Sequence, residues 1–232
     1  MIGILGGMGT QAGLDFCNKL SKLNRGKLDQ KYPMFVLYNK SNTPKRPENL
    51  IKYNNVLNAL VQGCKMLEKN KCKFIVIPCN TAHYWYEDVQ KKIKIPILSM
   101  PKEVFIHTRK NCKKNSTIGI LCTEATLKTK VYNKYFDKNY NLISPDKKLQ
   151  KNSVNRAIKL VKLGKVKEAE KALRPSVNYL IKKKCKKIIL GCTELPIAIF
   201  AYKSFKKIKE SKVFIDPNLL LAQVSMKKYK SI

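Results

Sequence analysis

The sequence predicts an α/β protein of two similar halves, each a mostly parallel sheet flanked by helices. Three observations carry that expectation. Short apolar runs of strand length alternate with longer segments of helical period. The runs are rich in β-branched residues, as strands buried on both faces are. And two stretches of the chain read almost as copies of two others.

The strand-length runs are IGIL (2–5), MFVLY (34–38), FIVI (74–77), IPILS (95–99), TIGIL (117–121), KIILG (187–191) and KVFID (212–216). Between them, helical period marks NLIKYNNVLNALVQGCKMLEKN (49–70) and NSVNRAIKLVKLGKVKEAEKALRPSVNYLIKK (152–183). Strand followed by helix, repeated, implies crossover connections and hence parallel pairing. The duplication sets MIGILGGMGT (1–10) against TIGILCTEAT (117–126), an offset of 116, and KCKFIVIPCNTAH (71–83) against KCKKIILGCTELP (184–196), an offset of 113. Two halves of one layout imply two domains related by a pseudo-two-fold axis. The boundary falls near SMPKEV (99–104), where a proline follows a strand and a helix begins. The second copy reads as complete by residue 208, so the last strand and helix are expected to rejoin the first half. The expected domains are therefore 1–99 with 209–232, and 100–208.

At 232 residues and 44% hydrophobic, the chain has the composition of a globular protein. No apolar run approaches the roughly 20 residues that cross a bilayer. The start, MIGILGGMGT, lacks the basic and long apolar regions of an export signal. A cytoplasmic protein with reduced thiols is the expectation for its eight cysteines. No Cys-x-x-Cys occurs, and His83 and His107 fall outside finger-like spacings, so no metal site is expected. The formal net charge of +33 raises a nucleic-acid reading. Its distribution argues against one: arginine, the side chain suited to bidentate phosphate and base contacts, occurs only at 25, 46, 109, 156 and 174. The lysines are scattered through every surface segment, and a basic surface of that kind attracts small anions.

Ligands of parallel α/β sheets bind outside the carboxyl ends of the strands. Cys79 follows FIVIP and Cys192 follows KIILG, so both stand at such ends. A helix starting after each would lower the thiol pKa. Two sulfurs flanking one interdomain cleft suit removal of a proton from one face of a carbon and its return to the other, which inverts a stereocentre. The remaining cysteines read differently. Cys17, Cys64 and Cys112 are small core hydrophobes. Cys72 and Cys185 precede their strands and lie at the opposite sheet edge, and the counterpart of Cys122 is Gly6.

IGILGGMG, VIPCNTAHYWYEDV and IILGCTELP, with SNTPKRPE and GILCTEATLKTKVY, resemble the signatures of the aspartate/glutamate racemase family, its cofactor-independent aspartate racemase branch above all. The resemblance spans essentially the whole chain in order. It implies a two-domain fold, a homodimer, and isomerisation of a small, dicarboxylic amino acid by paired cysteines without pyridoxal phosphate or any other cofactor. By the same resemblance Cys79 and Cys192 are the acid/base pair, Cys192 acting on the L-enantiomer and Cys79 on the D-enantiomer. Asn80, Thr81 and Thr193 hold the substrate α-carboxylate. Glu194 either binds the α-ammonium, orients Cys192, or is a first-turn carboxylate stabilised by the helix dipole. Arg46 clamps the distal carboxylate with help from Lys162 or, alternatively, Lys165. Met8, Gly9 and Thr126 complete the pocket. The chain departs from the family pattern at Thr10, where proline is usual, and at Glu124-Ala125-Thr126, where Asp-Gly-Thr is usual. His83, four residues beyond Cys79, either tunes its thiolate or packs.

Other functions compete. Gly7-x-Gly9-x-x-Ala12 after a strand matches a dinucleotide fingerprint, but the second strand ends in Asn39 rather than an acidic residue. A basic nucleic-acid-binding module has no recognition motif to support it. Within the same superfamily, a broad-specificity racemase, hydantoin racemase or maleate isomerase shares the chemistry. Decarboxylases carry one cysteine where this chain has two.

Overall fold

The computed structural model describes residues 1–24, 28–46, 50, 52–136, 138–201 and 212–232. The chain divides into two compact units, Met1–Glu103 with Asn218–Ile232, and Val104–Pro217. The first holds β1 (Ile2–Gly6), α1 (Thr10–Leu23), β2 (Phe35–Asn39), α2 (Tyr53–Lys69), β3 (Phe74–Val76), α3 (Tyr86–Gln90) and β4 (Ile97–Leu98). α4 (Met100–Asn111) carries the chain into the second unit. There follow β5 (Thr117–Cys122), α5 (Glu124–Lys128), α6 (Asn133–Phe136), β6 (Asn141–Ile143) and α7 (Lys147–Leu149). A π-helical stretch, Gln150–Asn155, joins α7 to α8 (Arg156–Lys162). α9 (Val166–Lys182), β7 (Lys187–Gly191), α10 (Leu195–Ala201) and β8 (Phe214–Ile215) follow, and α11 (Pro217–Lys230) ends the chain.

The sheets have orders β2-β1-β3-β4 and β6-β5-β7-β8, and every pairing in both is parallel. β1 is buried along its whole length, as is most of β5 and β7, which is why these strands read as unbroken apolar runs. β6 escaped the sequence reading because Asn-Leu-Ile is a three-residue edge strand, too short to show a pattern. The repeat itself predicts it: β1 has β2 at its side, and β5 needs the same partner.

The expectation for the last strand needs correcting. β8 joins the second sheet, with Ile188 opposite Phe214 and Ile189 opposite Ile215. Without it, β7 would present an open edge. β8 is the second copy of β4, so the second half is not complete at residue 208; residues 202–211, where the expected boundary fell, lie outside the described residues. The helix that follows does pack on the first unit: Leu221, Ala222 and Met226 of α11 share a buried cluster with Ile2, Ile4, Phe16, Leu20, Phe74 and Met100.

The repeated Lys-Cys-Lys has a structural cause. α2 and α9 both end in a left-handed residue, Lys71 at φ 57° and Lys184 at φ 56°. Lys71 N–H donates to Glu68 O and Cys72 N–H to Leu67 O; Lys184 and Cys185 make the same two bonds to Ile181 O and Leu180 O. This is the Schellman helix stop, with a lysine where glycine is usual and a cysteine as the apolar residue that packs back on the helix. A Cβ on Gly3 would lie 3.2 Å from Cys72 Sγ and Leu67 Cβ, and one on Gly119 would lie 2.9 Å from Leu180 Cδ1 and 3.2 Å from Cys185 Sγ. The two Ile-Gly-Ile-Leu strands carry glycine there to admit the cap. Among the described residues, no helix is long and apolar enough to cross a membrane.

Candidate functional site

In the first unit the expected residues gather at the carboxyl edge of the sheet. β1 leads into Gly7, whose φ of +89° and whose distance of 2.3 Å from a would-be Cβ to the Lys40 carbonyl admit no side chain. That close approach accounts for this glycine without a bound nucleotide. β2 ends in Asn39, whose Nδ2 donates to Thr10 Oγ1 at 3.2 Å, so no carboxylate closes that strand. Met8 is buried, and its carbonyl accepts from Arg46 Nη2 at 2.7 Å; Arg46 Nη1 donates to Pro44 O at 3.1 Å. Arg46 is thereby held at the mouth of β1, with a buried Nε that has no acceptor among the described residues. Gly9 is the residue before α1, and a Cβ there would meet nothing within 4 Å.

β3 ends at Val76, and Cys79 N–H turns back to Ile77 O at 2.7 Å across Pro78. Cys79 is 7% exposed, with Asn80 and Thr81 buried beside it at the start of a 3-10 turn, Thr81–Trp85. His83 is buried in that turn. Its Nδ1 lies 2.9 Å from Cys79 O, and its Nε2 lies 3.0 Å from the N–H of Met100. It holds the backbone of the cysteine.

In the second unit, Cys192 follows β7 and is 7% exposed. Its Sγ donates to Glu194 Oε2 at 3.0 Å, as does Thr193 Oγ1 at 3.2 Å, while Lys162 Nζ stands 3.6 Å from Glu194 Oε1. Of the two lysines weighed from sequence, Lys162 is the one beside this group; Lys165 Nζ pairs with Glu168 at 4.0 Å. Thr126 is buried in α5, its hydroxyl 3.0 Å from that of the capping Thr123. Sequence reasoning missed what supports this loop. Gln150, in the π-helical turn, donates to Cys122 O at 2.9 Å and to Asn155 Oδ1 at 2.8 Å, and Asn155 donates to Glu124 at 2.7 Å.

The helix-dipole argument fails for Cys192. Burial pushes its thiol well above the usual value, and the Glu194 carboxylate pushes further; the Glu194 backbone N–H and then Lys162 offset only part of this. Cys192 therefore rests as a thiol. Burial likewise raises Cys17 and Cys185 to about 11 and Cys64 to about 12, against 9.0 for a free thiol. The unfolded chain loses these protons above pH 9 while the native state keeps them, so stability present below pH 9 falls as pH rises. Deeply buried Cys64, with the largest of these three shifts, steepens that fall most. Urea unfolding at successive pH values from neutral to alkaline checks it, and Cys64→Ala is expected to flatten the alkaline limb.

Residues 5–224 match the family described as Asp/Glu/Hydantoin racemase. The broad specificity amino-acid racemase RacX of Bacillus subtilis is 29% identical over 99% of this chain and 98% of its own. The structure of the aspartate racemase of Picrophilus torridus superposes with a TM-score of 0.83, at 30% identity over 99% of this chain and 94% of that one. A glutamate racemase structure from Thermus thermophilus shares the fold at a TM-score of 0.71 and 19% identity, covering 99% of this chain and 80% of that one.

Proposed function

Because the chain belongs to the Asp/Glu/hydantoin racemase family, we propose that it interconverts L- and D-aspartate, with glutamate as the neighbouring substrate, by two-base proton transfer between Cys79 and Cys192. The observation that carries the reading is the same cysteine after the third strand of each sheet, one of the two already sharing its proton with a buried carboxylate. In this mechanism one sulfur removes the α-proton as thiolate while the other delivers a proton to the opposite face. Cys192 rests protonated, so it is the acid of the first turnover and Cys79 the base. Each turnover leaves the pair in the opposite protonation state, ready for the other enantiomer. Glu194 accepts the hydrogen bond of the thiol in one state. In the other, Lys162 limits the repulsion between carboxylate and thiolate.

Asn80, Thr81 and Thr193 stand beside the sulfurs in sequence and are assigned to the α-carboxylate. Arg46, fixed by Met8 O and Pro44 O, is assigned to the distal carboxylate, and Met8, Gly9 and Thr126 are assigned to substrate contacts by the family pattern. Arg46→Ala is expected to raise KM for aspartate at least tenfold and to lower kcat less, measured by coupled or polarimetric initial rates. The reading includes a cytoplasmic homodimer working without a cofactor, and light scattering on the purified chain checks the dimer.

One observation favours a broader substrate range. Both terminal nitrogens of Arg46 already donate to backbone carbonyls, which leaves fewer donors for a second carboxylate. Incubation of single enantiomers of many amino acids in D₂O, with α-deuteration followed by NMR, decides between the two. Exchange confined to aspartate and glutamate supports the dicarboxylate reading, exchange across apolar amino acids supports the broader one, and exchange of none overturns both.

A further inference from the structure

The repeat sets His83 opposite Pro196, each the last residue of the copied stretch. Proline has no side-chain polar group, so whatever His83 does is done for one cysteine only. The second half holds its cysteine through the thiol, by Glu194, and its carbonyl accepts from the backbone N–H of Leu195, with no side chain involved in that bond. The first half holds its cysteine through the main chain.

The tautomer of His83 follows from its partners. Met100 N–H can only donate, so Nε2, 3.0 Å away, is the unprotonated acceptor. A neutral imidazole then carries its proton on Nδ1, which donates to Cys79 O at 2.9 Å. At 3% exposure the ring is shielded from water that would compete for either bond. In a trans peptide the carbonyl and the following N–H point in opposite directions. Holding Cys79 O toward the ring therefore turns Asn80 N–H to the other side of that peptide. The Cys79 N–H is held by Ile77 O and His83 N–H by Asn80 O, so the segment is pinned on both sides of the cysteine. The far end of the bridge is the first residue of α4, the helix that leaves the first unit.

We infer that His83 is a positioning residue for Cys79: as the neutral Nδ1–H tautomer it ties the cysteine carbonyl to the first turn of α4 and so sets the direction of the sulfur and of Asn80 N–H. The inference rests on the racemase reading for its kinetic consequence, but not for its geometry.

Two substitutions separate the bonds. Asn places an amide nitrogen where Nδ1 lies and keeps the bond to Cys79 O while losing Met100. Gln places its amide oxygen where Nε2 lies and keeps Met100 while losing Cys79 O. His83→Asn is expected to keep kcat within about threefold of wild type. His83→Gln is expected to lower kcat ten- to a hundredfold with KM changed less than threefold. The alkylation rate of Cys79 by iodoacetamide, followed by mass spectrometry without substrate, is expected to change at least threefold in His83→Gln and less than twofold in His83→Asn. Both variants are assayed below their melting temperatures, so a loss that tracks only the folded fraction identifies a packing histidine and overturns the inference. Equal kcat and equal labelling in the two variants overturn it as well. If wild type racemises nothing while the labelling contrast holds, the racemase reading fails and the positioning role stands.

Discussion

Cys79→Ala and Cys192→Ala are each expected to abolish racemisation, lowering kcat by roughly 10³-fold or more. The reason is geometric as much as chemical. A single thiol can take a proton from one face of the α-carbon but has no way to deliver one to the other, so stereochemistry is retained. Each variant is expected to keep slow exchange of the α-proton with D₂O from one enantiomer, and the two variants from opposite ones. The two lesions differ in their neighbourhoods. Cys192→Ala removes one of the donors to Glu194 Oε2 and leaves Thr193 on that oxygen and Lys162 on the other. Cys79→Ala leaves the backbone bonds to Ile77 O and His83 intact. Both should fold, which circular dichroism checks. Wild-type racemisation by either variant would sink the paired-cysteine mechanism.

Gly7→Ala is expected to be the most damaging small change in the first unit, costing about 3 kcal/mol or more. A left-handed backbone angle costs a non-glycine residue roughly 1–2 kcal/mol. The added methyl would also stand 2.3 Å from the Lys40 carbonyl and 2.6 Å from Ser41 N, both backbone atoms that a rotamer change cannot clear. Overpacking of that kind adds about 1–3 kcal/mol. Gly9→Ala is the contrast, since a Cβ there meets nothing within 4 Å and stability should change by less than about 1 kcal/mol. Urea midpoints of the two variants measure both. If Gly7→Ala still folds, the loop carrying Met8 must shift, and Arg46 loses its 2.7 Å bond to Met8 O. A raised KM in a folded Gly7→Ala would report that loss.

Much of this protein was legible along the chain because the copies repeat. Ile-Gly-Ile-Leu twice, and Lys-Cys-Lys before an apolar strand twice, mark equivalent strands whatever the surrounding composition. A strand buried on both faces must be apolar, and β1 and β3 obey this throughout, as β7 does beyond its partly exposed first residue, Lys187. The short edge strands were harder: β6 shows no period, and β8 read as part of the first half because sequence records order and not pairing.

The site divides along the same line. That a cysteine follows the third strand of each sheet is written in the sequence, since strand end and residue type are local facts. Which neighbours act on it is not. Local helix logic expected a lowered pKa at Cys192, whereas folding buries the thiol against Glu194 and raises it. The bond from His83 to Met100 spans 17 residues and exists only because β3 and β4 pair and bring the two turns together. Composition and repetition are properties of the chain and survive unfolding. Protonation states and hydrogen-bond partners depend on burial and through-space distance, which exist only once the chain has folded.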